Sequence, residues 1–403
     1  MKFTIITHVP HIKSDGDYFG YAPYVGEMNI WLRYVDEVIV VAPLSSGGLN
    51  PIHIAYEHPK MQFRKVNEFN ATSLVSVFKT LWALPAVIRQ IYVAMQEADH
   101  IHLRCPGNMG LLAAVMQICF PTKKKTAKYA GNWDPNANQP FTYKVQRWLL
   151  SNTFLTRNMQ VLVYGEWPDQ SANIVPFFTA TYSEKEIPAA ALNTRGEAKV
   201  LKDDFNSATT YNEANTELAL QNGSESTQNY KFIFVGTLSK GKQPLYAIKL
   251  VAHLQQKGIN ASLDLYGEGV LREELQNHLK SNHLEAYISL KGNQSKEIIK
   301  NAYQASHFLI LPSKSEGWPK AVAEAMFWGC VPLATPVSCV PFMVDFGNRG
   351  VLLEENLVKD TATILQLLSD PSAYQLKSEA AAKWSQHYTV ELFEEEIRKL
   401  LER

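Results

Sequence analysis

Two carboxylates eight positions apart, Glu316 and Glu324, are the residues of this chain whose types and spacing best support chemistry on a ligand. An apolar run at residues 307–311 precedes them, and a second run at residues 330–335 follows the helix stop Gly329. The predicted order is therefore strand, loop with Glu316, helix with Glu324, strand. Such an order places both acids at the carboxyl end of a parallel sheet, where open α/β folds bind ligands.

Carboxylates at this edge suit a sugar. An ionised carboxylate has about four lone-pair sites and accepts from two neighbouring hydroxyls at once, an arrangement that hexoses and riboses both offer. The predicted helix start at residues 317–320 supplies backbone N–H groups and a positive dipole end for a phosphate, and Pro319 fits the first helical turn. Two glutamates at this spacing alone favour an ordinary loop acid and a helix surface acid. The surrounding Pro-Ser, Glu-Gly-aromatic and Glu-Ala-Met sequence favours binding.

The segment resembles the E-x7-E signature of retaining glycosyltransferases of family 4, and the similarity extends from about residue 231 to residue 344. The resemblance implies the GT-B fold, an α/β architecture of two Rossmann-like parallel-sheet domains facing a cleft. It also implies transfer of a hexose-type sugar from a UDP or GDP sugar to a hydroxyl of a glycan or lipid-linked acceptor. Glu316 would hold the sugar hydroxyls and Glu324 the ribose. The usual setting of such enzymes is bacterial surface polysaccharide or lipopolysaccharide assembly, without a metal or a further cofactor.

The loop at residues 236–242 resembles the diphosphate-binding loop of that family. The family usually carries an arginine after the first glycine, whereas this chain has Thr237. Lys242 fits the family's lysine position as a catalytic cation, with Lys240 as the second choice. The resemblance implies donor contacts that lie at strand ends and at the helix start, namely Gly236, Thr237, Gly267, Gly292, Gly317, Trp318, Pro319 and Lys320. At Gly267, a plain strand-to-helix turn explains the sequence equally well.

Residues 8–26 form a long predicted loop rich in Tyr, Gly and Pro at the carboxyl end of the first strand. Loops at this edge carry binding residues, so we interpret it as an acceptor-binding loop, with a purely structural loop as the equal alternative. The D-x-D tripeptide at residues 15–17 is a chance match, and we predict no metal there. The predicted acceptor contacts are Asp17, Tyr18, Gly20, Arg104, Asn132 and Trp133.

His102 and Arg104 leave another strand toward a Pro-Gly loop. The resembling family often has two histidines at this point, one of which positions the transferred sugar, and here Arg104 takes the second place. The resemblance therefore suggests His102 as a catalytic residue. A buried histidine satisfied by the backbone is the competing interpretation.

The length of 403 residues indicates two domains, and 46% hydrophobic with 19% charged residues is typical of a globular protein with large cores. A net charge of zero provides no general attraction for nucleic acid. Four cysteines without a CxxC pair indicate reduced thiols, and the N-terminus lacks a signal peptide pattern. We expect a cytoplasmic protein whose only membrane contact would be peripheral, at the inner face of the plasma membrane. The lysine run 123–125 could touch anionic lipid, although a solvated turn is the commoner outcome.

Strand and helix patterns alternate in both halves, which predicts parallel sheets. We assign residues 1–187 to an N-terminal acceptor-binding domain, 188–229 to a polar linker, 230–375 to a nucleotide-sugar domain, and 376–403 to a C-terminal helix crossing back to the first domain. The apolar stretch 74–95 is interrupted by Lys79 and Pro85, which predicts two helices.

Two alternatives to a transferase remain at this stage. A nucleotide-sugar 2-epimerase of the same fold would use acids and a histidine without an acceptor. A non-catalytic protein that binds sugar nucleotides would account for Thr237 at the position of the missing arginine.

Overall fold

The computed structural model describes residues 1–50, 52–67, 74–188 and 229–402, the side chains of residues 74–83 excepted. Contacts divide the chain into two compact units. The first comprises Met1–Glu184, Ser315–Lys320 and Tyr388–Arg403, and the second comprises Lys185–Lys314 and Ala321–His387. The predicted linker 188–229 lies, except for its two end residues, outside the described residues.

The first unit is built on a seven-stranded parallel sheet. Its strands, together with three strands of a smaller sheet, are β1 (Lys2–Ile6), β2 (His11–Ser14), β3 (Asp17–Tyr21), β4 (Glu37–Pro43), β5 (His53–Ala55), β6 (Met61–Val66), β7 (His100–Cys105), β8 (Lys124–Tyr129), β9 (Met159–Tyr164) and β10 (Ile174–Phe177). The order of the large sheet is β10-β9-β8-β7-β1-β4-β6. Most residues of β1, β4, β7 and β9 are buried, as expected when helices cover both faces of a parallel sheet.

In the described part of this unit, the helices that connect the strands are α1 (Ala22–Leu32), α2 (Leu74–Glu97), α3 (Asn108–Met116) and α4 (Phe141–Ser151). The prediction of two helices at residues 74–95 was wrong, since α2 continues through Pro85. Burial of Val87, Ile91 and Met95 against the sheet offsets the hydrogen bond that a proline removes from a helix interior. Among the described residues, no helix is both long and apolar enough to cross a membrane.

The predicted loop at residues 8–26 was also wrong as a structural assignment. β2 and β3 form an antiparallel hairpin there, and β5 adds a third strand in the order β2-β3-β5. Asp15 and Gly16 form the turn, both with positive φ (51° and 95°). An Asp-Gly pair is a strong two-residue hairpin signal because such turns require positive φ at both central positions.

The second unit is built on a six-stranded parallel sheet in the order β13-β12-β11-β14-β15-β16. Its strands are β11 (Tyr230–Val235), β12 (Ala261–Tyr266), β13 (Ile288–Gly292), β14 (Phe308–Leu311), β15 (Val331–Ala334) and β16 (Val351–Leu352). Its helices are α5 (Pro244–Gln256), α6 (Arg272–Ser281), α7 (Lys296–Ala305), α8 (Lys320–Phe327), α9 (Val340–Met343), α10 (Leu357–Leu368) and α11 (Pro371–Ser385). The apolar runs predicted from the sequence thus form the strands of a parallel α/β sheet.

The last helix, α12 (Val390–Glu402), belongs to the first unit. Phe393 and Ile397 of its apolar stripe are buried, and the Phe393 ring lies 5.5 Å from that of Phe177. The amide of Val390 donates to the Tyr182 carbonyl at 3.0 Å. Residues 376–403 are therefore two helical elements, with the end of α11 in the second unit and α12 in the first.

Candidate functional site

Three glycines lie side by side at the carboxyl ends of β11, β12 and β13. The amide of Gly236 donates to the Tyr266 carbonyl at 3.0 Å, and the amide of Gly267 donates to the Gly292 carbonyl at 2.9 Å. Gly267 has φ 138°, and a Cβ on it would lie 2.0 Å from the Gly236 carbonyl oxygen. Since the amides of Gly236 and Gly267 serve neighbouring loops, these glycines shape a bare backbone surface rather than donate to a ligand.

Lys242 stands next to this surface. Its Cδ is 4.0 Å from the position of a Cβ on Gly236, and its amide donates to the Ser239 carbonyl at 3.1 Å in a tight turn. The Lys242 side chain is half-buried, whereas Thr237 and Lys240 are exposed on the same turn. The turn therefore presents its lysines beside the glycine loops, an arrangement suited to a phosphate.

Glu324 lies on α8 and is half-buried. The hydroxyl of Tyr303, a fully buried residue of α7, donates to Glu324 Oε2 at 3.4 Å. The phenol thus helps to orient the carboxylate. Sequence reasoning missed Tyr303, because nothing in its own helix marks it as the partner of an acid twenty-one positions later.

Glu316 lies in a segment that packs with the first unit. Only 8% of the Glu316 surface is exposed, and a Cβ on Gly317 would lie 2.4 Å from the Ala130 carbonyl oxygen. The Trp318 ring is buried, 5.6 Å from that of Tyr164. Gly317 is therefore required for close backbone packing, and Trp318 anchors the segment.

The sequence predicted that residues 317–320 would supply backbone N–H groups to a phosphate, but two of these four residues do not. α8 begins at Lys320, one residue later than the first-turn position predicted for Pro319, and proline carries no N–H. The Lys320 amide donates to the Trp318 carbonyl at 2.8 Å. Neither Pro319 nor Lys320 thus offers a backbone amide to a diphosphate here.

His102 lies in the core of the first unit. No part of its side chain is exposed, its Nδ1 is 2.9 Å from Thr126 Oγ1, and its ring packs 4.8 Å from Trp31 and 5.7 Å from Phe3. Burial lowers the pKa of His102 well below its usual value, so the ring is neutral. In this structure His102 does not present a ring nitrogen to a sugar, contrary to the role suggested for it.

The hairpin that replaces the predicted acceptor loop carries three of the predicted contacts. Asp17 is exposed at its tip, and Tyr18 stacks on Phe63 with ring centroids 4.4 Å apart. Gly20 is buried, and a Cβ there would lie 2.9 Å from Val25. Asp17 and Tyr18 are thus placed where a ligand can reach them, and Gly20 serves packing.

Asn132 and Trp133 follow β8. Trp133 is 1% exposed, and its indole N–H donates to Gln170 Oε1 at 2.8 Å. Asn132 Oδ1 accepts from the Asp134 amide at 2.9 Å. Both side chains stabilise the loop, so a direct ligand contact of Trp133 is not available in this structure.

Arg104, the remaining predicted acceptor contact, belongs to a cluster of charges at the carboxyl ends of β7 and β8. Arg104 Nη1 is 3.7 Å and Lys128 Nζ 3.6 Å from the same Glu27 Oε1. Burial lowers the pKa of Lys128 to about 8, and Glu27 opposes that shift. Sequence reasoning missed Glu27 and Lys128, because nothing in the helix of one or the strand of the other indicates that the two side chains meet.

The lysine run 123–125 is not a solvated turn. Lys123 Nζ donates to the Gln96 carbonyl at 2.6 Å, and Lys125 Nζ donates to the Phe120 carbonyl at 2.9 Å. Lys125 is 2% exposed, and burial lowers its pKa to about 8. Lys124 Nζ donates to the Glu402 carbonyl at 3.4 Å, so all three ammonium groups hydrogen-bond backbone carbonyls.

Two parallel α/β units with glycine loops at their strand ends define the GT-B architecture, and solved GT-B structures match the whole chain. HepE of Anabaena, solved in complex with UDP and glucose, superposes with a TM-score of 0.63 at 14% identity, over 100% of this chain and 99% of that one. This likeness establishes the fold. No group of three His, Cys, Asp or Glu side chains in the described part of the chain has the geometry to hold a metal ion. The absence of a cofactor remains a prediction.

Residues 215–385 match the family described as Glycosyl transferases group 1. An uncharacterized glycosyltransferase of Methanocaldococcus jannaschii, MJ1178, is 27% identical over 194 residues, which cover 48% of this chain and 52% of the relative. The putative colanic acid biosynthesis glycosyltransferase WcaL of Escherichia coli is 25% identical over 182 residues, 43% of this chain and 45% of that protein. The matched part of this chain spans about half the length of these relatives.

Proposed function

We propose that the protein is a retaining glycosyltransferase that moves a hexose-type sugar from a UDP or GDP sugar to a hydroxyl acceptor. The observation that carries this proposal is the edge of the second sheet, where bare glycine backbone, Lys242 and the Tyr303-supported Glu324 stand within the segment that matches the glycosyltransferase family. The similarity to WcaL supports a role in surface polysaccharide or lipopolysaccharide assembly.

The proposed roles follow from the chemistry of each group. Glu324 accepts hydrogen bonds from the ribose hydroxyls, and Glu316 accepts from hydroxyls of the transferred sugar. Lys242 neutralises the diphosphate. Because charge grows on the leaving phosphate oxygen as the glycosidic bond breaks, a cation there lowers the barrier more than it favours the bound donor.

No protein nucleophile is needed in this scheme. The bond from the anomeric carbon to the phosphate oxygen breaks, and the acceptor oxygen attacks the same face of the sugar. The departing phosphate oxygen takes the acceptor proton. The anomeric configuration is thereby retained, without a metal or a general base from the chain.

A donor screen tests the proposal. UDP, GDP and ADP sugars are added to the wild type, to Glu324→Gln and to Glu285→Gln, whose carboxylate is exposed away from the glycine loops. A donor at 100 times its dissociation constant should add about 2.7 kcal/mol to the free energy of unfolding. We expect this gain with one nucleotide family in the wild type and Glu285→Gln, its loss in Glu324→Gln, and slow release of free sugar.

The outcomes separate the alternatives. Stabilisation with conversion of the donor into its 2-epimer would replace the transferase by an epimerase. Stabilisation without turnover in the presence of hydroxyl acceptors would favour a binding protein. If no nucleotide sugar stabilises the wild type, the donor site is wrong. The anomeric configuration of the product, read by proton NMR, tests retention.

A further inference from the structure

The cluster of Glu27, Arg104 and Lys128 carries more positive than negative charge. Both cations approach one carboxylate oxygen, Glu27 Oε1. The exposed fractions of the side chains are 7% for Glu27, 15% for Arg104 and 0% for Lys128. Two cations share one carboxylate, so one positive charge of this largely buried cluster has no negative charge within the cluster to balance it.

The Lys128 ammonium group has both a hydrogen-bond acceptor and aromatic partners within the protein. Its Nζ donates to the Phe178 carbonyl at 2.9 Å and lies 4.4 Å and 4.9 Å from the ring centroids of Phe177 and Tyr164. Such cation–π contacts stabilise a buried ammonium. Lys128 therefore contributes charge to the cluster but, with no exposed surface, cannot bind a ligand itself.

Arg104, by contrast, lacks a hydrogen-bond acceptor in the described part of the chain for one of its nitrogens. Its Nη1 is buried and has no hydrogen-bond acceptor among the residues that the structure describes. The 3.7 Å to Glu27 is too long for a hydrogen bond, and the guanidinium otherwise packs 5.3 Å from the Tyr24 ring. A buried donor without an acceptor is costly, and 15% of the Arg104 side chain remains exposed, so an acceptor from outside the chain can approach the guanidinium fork although Nη1 itself is covered.

A ligand can approach this guanidinium from the carboxyl edge of the sheet. His8, at the end of β1, is exposed, and a Cβ on Gly107 would lie 3.2 Å from His8 Nδ1. Desolvation and, after it, the charge of Arg104 lower the pKa of His8. The loops at this edge thus offer bare backbone and an imidazole, both able to hydrogen-bond a polar ligand.

We propose that Arg104 binds an anionic group, a carboxylate or a phosphate, on the acceptor substrate. An arginine fork matches the paired oxygens of either group, and a single negative charge neutralises the cluster. The inference rests on the proposed function, since it specifies the acceptor class of that transferase. A purely structural Arg104–Glu27 ion pair is the alternative.

Binding of small anionic sugars tests this inference. Isothermal titration with glucuronic acid, glucose 1-phosphate and neutral glucose is carried out at saturating UDP or GDP, which occupies the donor diphosphate site. We expect at least one anionic sugar to bind roughly ten- to a hundred-fold more tightly than glucose. Comparison of glucuronic acid with glucose 1-phosphate distinguishes a carboxylate from a phosphate.

Variants assign the binding to the cluster. Arg104→Gln should abolish the preference for the anionic sugar, and Arg104→Lys, which keeps the charge but not the fork, should retain part of it. Arg147→Gln is the matched control, since Arg147 caps the Asp134 carbonyl at 2.7 Å outside the cluster. An unchanged preference in Arg104→Gln, or no preference in the wild type, overturns the inference. Nucleotide binding, measured in the same samples, reports on the donor site separately.

Discussion

Buried basic side chains set the pH behaviour of the first unit. His11 Nε2 lies 2.9 Å from the Tyr56 hydroxyl, and His100 Nε2 lies 2.9 Å from Thr126 Oγ1. Burial lowers the pKa of each histidine to about 4. Both rings are therefore neutral in the folded unit at pH values where the unfolded chain is already protonated.

We expect the first unit to lose stability as the pH falls from about 6.5 toward 4. Between these values the unfolded chain binds protons that the folded unit does not, so each histidine lowers the free energy of unfolding by up to about 1.4 kcal/mol per pH unit. Urea unfolding at pH 7, 6 and 5 measures the slope. His100→Gln should reduce it, and an identical slope in that variant would contradict the assignment.

The residues that the sequence proposes for the site and the neighbouring residues that it does not indicate differ in one respect. Glu316, Glu324 and Lys242 stand in short motifs that local sequence displays. Tyr303, Glu27 and Lys128 take their surroundings from other elements, and no local pattern records which strand or helix will lie beside them. The burial of His102 could not be separated from a functional position for the same reason.

Backbone hydrogen bonds join the loops that follow β11 and β12, and the absence of a Cβ on Gly267 permits their close approach. Gly267→Ala should destabilise the second unit by several kcal/mol, because its Cβ would meet the Gly236 carbonyl and φ 138° is strained for alanine. Nucleotide binding should be lost with it. Urea unfolding and UDP titration measure both effects.

Gly258 provides the matched control. Its φ is 85°, and nothing lies within 4 Å of a Cβ there. Gly258→Ala should therefore cost only about 1 kcal/mol of backbone strain. Equal losses in the two variants would show that the contact with Gly236 has no special role.

The helix α12 contributes a large aromatic to the core of the first unit. Phe393 is 2% exposed, packs on Phe177 and Phe178, and lies 5.6 Å from Lys128 Nζ. Phe393→Ala should lower the free energy of unfolding by about 3–5 kcal/mol. Glu395→Ala on the exposed side of the same helix should change it by less than about 0.5 kcal/mol. Urea titration of both variants measures these free energies of unfolding. Similar losses in the two variants would refute the packing role of Phe393.

At this scale the sequence predicted element type better than element connection. The apolar runs at residues 307–311 and 330–335 form the strands β14 and β15, as predicted. The hairpin at Asp15–Gly16 was not predicted, although an Asp-Gly pair favours a two-residue turn with positive φ at both positions. The break predicted at Pro85 did not occur, since tertiary packing outweighs the local preference of one proline.

For the whole molecule, alternation of strand and helix patterns was sufficient to predict two parallel α/β sheets, and the resemblance in the second half indicated their type. Neither the alternation nor the resemblance could reveal that Ser315–Lys320 pack with the first unit. Such grouping depends on contacts between positions far apart in sequence, which periodicity does not encode.

The non-contiguous composition of the first unit affects its biosynthesis. Its first stretch ends at Glu184, but it also uses Tyr388–Arg403. At typical ribosome speeds the interval between these points lasts roughly 10 to 40 s. During that interval the nascent sheet exposes the apolar surface that Phe393 and Ile397 later cover, so a holdase chaperone has a defined time window and a defined surface on the emerging chain.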